Sequence, residues 1–359
     1  MKRSCIIAEA GVNHNGNEEL AFKLIDAAHD AGVDIVKFQT FKAKNLVTKN
    51  AKQAVYQQVN TGKSESQLAM LSRLELSYDA HHRLIKYCNS KGISFLSTAF
   101  DSESLEFLVN DLKLKKLKIP SGEITNAPFV LQHAKTGADI IVSTGMATLS
   151  EIERVLGVIA FGYIGSQEKK PTEQAFQEAY FSAEGRKLLE DKVTILHCTT
   201  EYPAPFTEIN LNVLNTLRHA FNLPIGYSDH SKGIAIPIAA VALGATVIEK
   251  HFTLDKSMEG PDHKASLNPD ELKQMVISIR EVESAMGNGL KGPTSSEVKN
   301  KNIARKSIVA IDKIQRGQSF TAQNIDIKRP GSGMSPYSWW TLMEKKATKD
   351  YQPGDNIDE

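Results

Sequence analysis

VIEKHFTLDKSMEGPDHKAS, residues 247–266, opens as a buried β-strand and then abandons that pattern. Two apolar residues lead into Glu249, Lys250 and His251, and a loop rich in charge and glycine follows. An unpaired charge carried into an apolar interior is costly, so these side chains need partners at one end of the strand. Side chains alternate faces along a strand. Glu249 and His251 therefore share the inward face, and Lys250 points outward toward the helices.

Seven further β-branched runs precede this one, at residues 5–11, 33–40, 93–100, 116–122, 139–145, 193–199 and 223–229, with 246–252 as the eighth. Between them lie segments such as NEELAFKLIDAAHDAG (17–32) and YDAHHRLIKYCNSKG (78–92), whose apolar residues recur at i, i+3 and i+4. Strand–helix alternation implies a parallel sheet. Eight such units in about 280 residues suit a (β/α)8 TIM barrel, which typically takes about 250. A doubly wound open sheet is the alternative, but no G-x-G-x-x-G follows the first strand. Periodicity weakens after Met286. A barrel domain is read at 1–285, and a Gly-, Ser- and Lys-rich linker at 286–302. Residues 303–359 give short strands and turns, a small β-rich domain that is marginal alone.

Bulk properties narrow the function classes. The 359 residues are 41% hydrophobic and 24% charged, ordinary for a globular protein. A formal net charge of +1 gives no reason to expect nucleic acid or an anionic membrane as partner. Cys5, Cys88 and Cys198 are odd in number and scattered, which speaks for a reducing compartment and small core residues rather than disulfides. The N-terminal MKRSCIIAEAG lacks the apolar region of about 7–15 residues that a signal peptide needs. The longest apolar run, 233–248, contains Pro237 and is shorter than the ~18–20 residues of a membrane span. A cytoplasmic protein is expected.

Polar residues collect at the C-terminal ends of the strands, where this fold builds its active sites. Glu9 comes from the first, and Lys37 and Gln39 share a face of the second. Lys118, Ser121 and Glu123 follow from the fourth, Ser143 from the fifth, Thr200 and Tyr202 from the sixth. Ser228, Asp229 and His230 end the seventh, Glu249 and His251 the eighth. One Lys or Ser at a strand tip is ordinarily a solvated group, but seven strands ending this way make a site. His230 and His251 end neighbouring strands, so their imidazoles can converge. Two histidines are an incomplete zinc site. They suit a loosely held Mn²⁺ or Mg²⁺ that keeps open positions, or else they are satisfied polar histidines. Lys37, Lys118, Ser121, Ser143 and Ser228 offer two cations and three hydroxyls to a phosphate.

The motifs IIAEAGVNHNG, VKFQTFKA, FLSTAFD, KIPSGEITN, STGMA, HCTTEYPAP, GYSDHSKG, EKHFTLDKSMEGPDH and KRPGSG occur here in one order. Together they resemble bacterial sialic acid synthases over about the whole chain. The resemblance implies a TIM barrel joined to a small antifreeze-like (SAF) domain in a domain-swapped homodimer. It implies condensation of phosphoenolpyruvate with N-acetylmannosamine or a close N-acyl hexosamine. The related N,N'-diacetyllegionaminate synthases, acting on 2,4-diacetamido-2,4,6-trideoxymannose, match the same wording. By resemblance His230 and His251 bind the metal, typically Mn²⁺, which polarises the sugar aldehyde. Lys37, Lys118, Ser121, Ser143 and Ser228 match positions that hold phosphoenolpyruvate. Glu9 and Glu123 match carboxylates beside the reacting centre, and Gln39, Tyr202 and Asp262 match sugar contacts. Arg329 matches an arginine that meets the N-acyl group in the partner's barrel. Where part of the family has NxYPTP, this chain has TTEYPAP, so Thr200 replaces an asparagine that binds phosphoenolpyruvate. A shorter keto-sugar phosphate synthase and a non-catalytic carbohydrate-binding protein are the remaining alternatives. Arg329 and the small domain argue against the first, and the convergent Lys, Glu and His against the second.

Overall fold

All eight runs become strands: β1 (Cys5–Gly11), β2 (Ile35–Thr40), β3 (Ser94–Ala99), β4 (Lys116–Ile119), β5 (Asp139–Ser143), β6 (Val193–Cys198), β7 (Ile225–Asp229) and β8 (Val247–His251). They pair in sequence order, all parallel, and β8 closes onto β1. Closure excludes the open sheet. The computed structural model describes residues 3–62, 64–165 and 169–358; Met1 and Lys2 of the N-terminal stretch lie outside them. The chain divides into two units, Met1–Gly287 and Asn288–Glu359.

The barrel helices form for local reasons. In Glu18–Ala31 the Asn17 side chain caps the start by accepting from Leu20 N–H, with Glu18 and Glu19 in the first turn. Gly32 ends it at φ 77°, a left-handed conformation that glycine takes without strain. Ala21, Leu24, Ile25 and Ala28 bury the face turned to the strands. Between β2 and the barrel helix Tyr78–Lys91 the chain makes an excursion of three short helices, Ala43–Leu46, Val55–Thr61 and Gln67–Leu74. Met70 and Leu74 of this excursion join Phe41 and Val12 in an apolar cluster apart from the main core.

The second unit has its own small core, including Ile308, Ile314, Phe320, Leu342, Tyr351 and Ile357. It contains the antiparallel pair β9 (Ser307–Ala310) and β10 (Ile325–Lys328). The stretch read as linker is a helix over part of its length, Ser295–Ala304. Thr294 and Glu297 form a reciprocal capping box, which nucleates the helix although it buries no residue. Among the described residues, no helix is long and apolar enough to cross a membrane.

Candidate active site

The period of two along each strand builds the site in layers. Inside the barrel, Ile7, Ile35, Leu96, Ile141, Leu196 and Val247 form an apolar plug. On β7 only a glycine fits at this level. A Cβ on Gly226 would lie 2.5 Å from Leu196 Cδ2 and from the Val247 carbonyl. Two residues further along, the same faces turn polar: Glu9, Lys37, Thr98, Ser143, Cys198, Ser228 and Glu249, with Lys118 from β4. All line one cavity of about 350 Å³.

Four of these floor residues are charged, and none is more than 4% exposed. Lys37 Nζ lies 2.8 Å from Glu9 Oε2 and 3.5 Å from Glu249 Oε2, and donates to Thr98 Oγ1 at 3.1 Å. Lys118 Nζ lies 3.7 Å from Glu249 Oε1, which also accepts from Ser228 Oγ at 2.9 Å. Gln39 Nε2 donates to Glu9 Oε1 at 3.2 Å. Burial opposes ionisation of Glu249, but Lys118 and Lys37 outweigh it and bring its carboxyl down to about 2. Glu9 goes the other way: burial, joined by the charge of Glu249, raises its pKa against the pull of Lys37. Burial would lower Lys37, yet Glu249 and Glu9 hold its ammonium above the ordinary value. Lys118 is shifted down by burial. Two carboxylates driven apart in this way can divide a fixed-anion role from a proton-carrying one.

Hydroxyls gather at one side of the floor. Ser143 Oγ and Thr200 Oγ1 are buried with no hydrogen-bond partner among the described residues. Ser121 Oγ accepts from the Gly145 amide at 3.0 Å and lies 3.1 Å from Cys198 Sγ. A Cβ on Gly145 would lie 2.2 Å from Thr200 Oγ1 and 2.8 Å from Ser121 Oγ, so glycine is what lets these groups converge. The three cysteines are free, and burial pushes the Cys198 thiol up. Unsatisfied buried donors beside two buried ammonium groups are suited to an anion.

His230 and His251 meet at the ends of β7 and β8, ring centroids 5.6 Å apart. His230 Nδ1 donates to the Thr199 carbonyl at 2.6 Å, which leaves Nε2 as the lone-pair nitrogen. His251 Nδ1 is buried without a hydrogen-bond partner, 3.9 Å from Asp262 Oδ2. Burial lowers His230 to about 4, and burial with the neighbouring His230 takes His251 well below the usual range. Both imidazoles are therefore neutral near pH 7. Two neutral imidazoles, one with an orphaned nitrogen, fit a divalent cation that takes its other ligands from water or substrate. Among the described residues, no group of three or more His, Cys, Asp or Glu forms a complete metal cage. Burial, with the charge of Glu9, raises the Asp262 carboxyl to about 7. The Tyr202 ring lies 4.1 Å from that of His230 and 5.1 Å from that of Tyr56, centroid to centroid, each pair tilted by 31°.

Lys250 faces outward, as alternation requires, and is fully buried there. Its Nζ lies 2.5 Å from Asp229 Oδ2 and donates to the Ser231 carbonyl. Asp229 Oδ1 accepts from Tyr227 OH and from Ser231 N–H. This network ties β7 to β8 immediately beside the two histidines.

The cavity brings together Glu9, Lys37, Gln39, Lys118, Ser121, Glu123, Ser143, Thr200, Tyr202, Ser228, His230, His251 and Asp262. Glu123 is half-buried in the Ser121–Glu123 turn, its Oε2 accepting from Asn126 Nδ2 at 2.7 Å. Arg329 belongs to the second unit, exposed, with Nε donating to the Ala304 carbonyl at 3.0 Å. Glu249 carried no assigned role in the sequence reading, although it shares a face with His251. Thr98 and Tyr56 were also missed, since neither stands in a charged strand tip.

The fold and the site define a (β/α)8-barrel enzyme with a buried, charge-lined pocket suited to an anionic substrate. The sequence profile of the NeuB family matches residues 24–291. The chain is 50% identical over 359 residues, all of both chains, to an N,N'-diacetyllegionaminic acid synthase of Campylobacter jejuni. It is 44% identical to a synthase of the same name from Legionella pneumophila, covering 98% of this chain and 92% of that one. Among solved structures it is similar to the N-acetylneuraminic acid (sialic acid) synthetase of Leptospira borgpetersenii, with a TM-score of 0.66 and 30% identity, covering 83% of this chain and 90% of that one. The chain belongs to the NeuB family.

Proposed function

We propose that the chain condenses phosphoenolpyruvate with 2,4-diacetamido-2,4,6-trideoxymannose and water, giving a nine-carbon 2-keto acid and inorganic phosphate. The observation that carries the reaction class is the floor itself, with Lys37, Lys118, Glu9 and Glu249 buried beside two neutral histidines. The choice of acceptor is supported by the 50% identity along the whole chain with a synthase of that type, against 30% for the sialic acid synthetase.

In this reading Lys37 and Lys118 meet the negative charge of phosphoenolpyruvate, Ser121, Ser143 and Thr200 donate to it, and Ser228, whose hydroxyl donates to Glu249, lines its site. Carbon 3 attacks the open-chain aldehyde, a C–C bond forms, and the aldehyde oxygen takes a proton. Water adds at C2 and gives up a proton, the C–O bond to phosphate breaks, and the keto acid is left. Glu9, whose carboxyl is raised by burial, carries protons at this centre, while Glu249 stays ionised and fixes the two ammonium groups. Glu123 assists from the rim. Gln39, Tyr202 and Asp262 hold the sugar. His230 and His251 would hold a divalent cation, Mn²⁺ or Mg²⁺, which supplies Lewis acidity to a carbonyl oxygen when bound. A domain-swapped homodimer, with an antifreeze-like second unit bringing Arg329 to the N-acyl group, completes the proposal.

The test is phosphate release from the full chain. It is expected only when phosphoenolpyruvate, a divalent cation and the acceptor are all present. Release that survives chelation would overturn the metal assignment.

A further inference from the structure

The polar floor accounts for phosphoenolpyruvate and leaves one wall of the cavity without a task. That wall comes from the excursion after β2, where Phe41, Leu46, Val47, Met70, Leu71 and Leu74 line the same cavity as the charged floor. Phe41, Met70 and Leu74 form an apolar cluster with Val12, and Leu46 and Leu71 pack on it. A cluster serving only to hold the excursion down would bury its whole surface in protein. Leu46, Val47 and Leu71 are instead half-buried and face the cavity.

The excursion is also tied to the histidine side of the site. Asn60 Nδ2 donates to the Pro261 carbonyl at 2.7 Å, next to Asp262, and the Tyr56 ring packs at a tilt against Tyr202. A sugar resting over the histidines is therefore bounded by this carbon surface. Gln57 and Gln67 interrupt it with amide groups. A sugar hydroxyl pressed against carbon loses hydrogen bonds to water and regains none. A methyl group at the same place leaves water at a gain. An N-acyl group has both a methyl for the wall and an amide for a glutamine.

We propose that Leu46, Val47 and Leu71 are specificity-determining residues of the acceptor site, selecting a 6-deoxy, twice N-acylated hexosamine over a 6-hydroxy, singly acylated one. This rests on the condensation reading above and names the part of the site that makes the choice.

The experiment compares kcat/KM for 2,4-diacetamido-2,4,6-trideoxymannose and N-acetylmannosamine, using the full chain at saturating phosphoenolpyruvate and Mn²⁺. Wild type should favour the former by roughly 10- to 100-fold, the range an apolar pocket yields against an added hydroxyl. Leu71→Asn and, separately, Val47→Asn should each reduce that ratio about tenfold, mainly through the KM of the deoxy sugar. Leu71→Met should preserve it. A wild-type preference for N-acetylmannosamine, or a ratio unchanged in both Asn variants, overturns the wall assignment while the condensation stands. Phosphate release with neither acceptor overturns the condensation, and this inference with it.

Discussion

Glu249 is the side chain on which the floor turns. It lies within 4 Å of both lysines of the floor, Lys37 and Lys118, and Lys118 has no other carboxylate that close among the described residues. Glu249→Gln would leave an ammonium buried without its counter-ion, a defect that typically costs about 3–5 kcal/mol. The variant should show a lower urea midpoint and at least a hundredfold loss of phosphate release. Unchanged stability would mean that Glu9 alone balances both lysines. Gly145 tests the hydroxyl side. In Gly145→Ala the new methyl meets Thr200 Oγ1 at 2.2 Å, so KM for phosphoenolpyruvate should rise by about tenfold, one pKa-unit's worth of energy. Pairing it with Thr200→Ser, which keeps the hydroxyl and frees its rotation, should recover part of the loss.

At the scale of elements, the eight strands and the turn of their inner faces from apolar to polar could be read from alternation alone. The Lys37–Glu249–Lys118 contacts could not. They join three strands, and only closing β8 onto β1 sets that register. The excursion of 43–74 was hidden for another reason: its helices are too short to show a sustained period. The helix at 295–304 left a trace in Thr294 and Glu297, outweighed in the sequence by the glycines before it. Lys250 was read correctly as outward, but alternation gave no hint of its partner Asp229, because that pairing depends on the β7–β8 register. Lys250→Met should destabilise by several kcal/mol by stranding Asp229. The double variant Asp229→Asn/Lys250→Met should be more stable than Lys250→Met alone. Additive losses in urea unfolding would deny the coupling.

Over the whole molecule, buried neutral histidines set the acid limit. Burial lowers His14 to about 3, and His133 and His263 to about 4. The unfolded chain binds protons at these groups below about pH 6.5, where the native state does not. Stability should therefore fall as pH drops from about 6.5 toward 4, by up to about 1.4 kcal/mol per pH unit for each histidine. Urea midpoints at pH 7 and pH 5 measure it, and His133→Leu should flatten the slope. The floor of the cavity carries a different linkage. Its two lysines face Glu249, which stays ionised, and Glu9, whose carboxyl is raised, so at most one positive charge is in surplus for a ligand bearing both a carboxylate and a phosphate. A cation held by His230 and His251 would add to the positive charge that the lysines supply. Anion and cation occupancy are then one thermodynamic event, in which each partner tightens the other by the same factor.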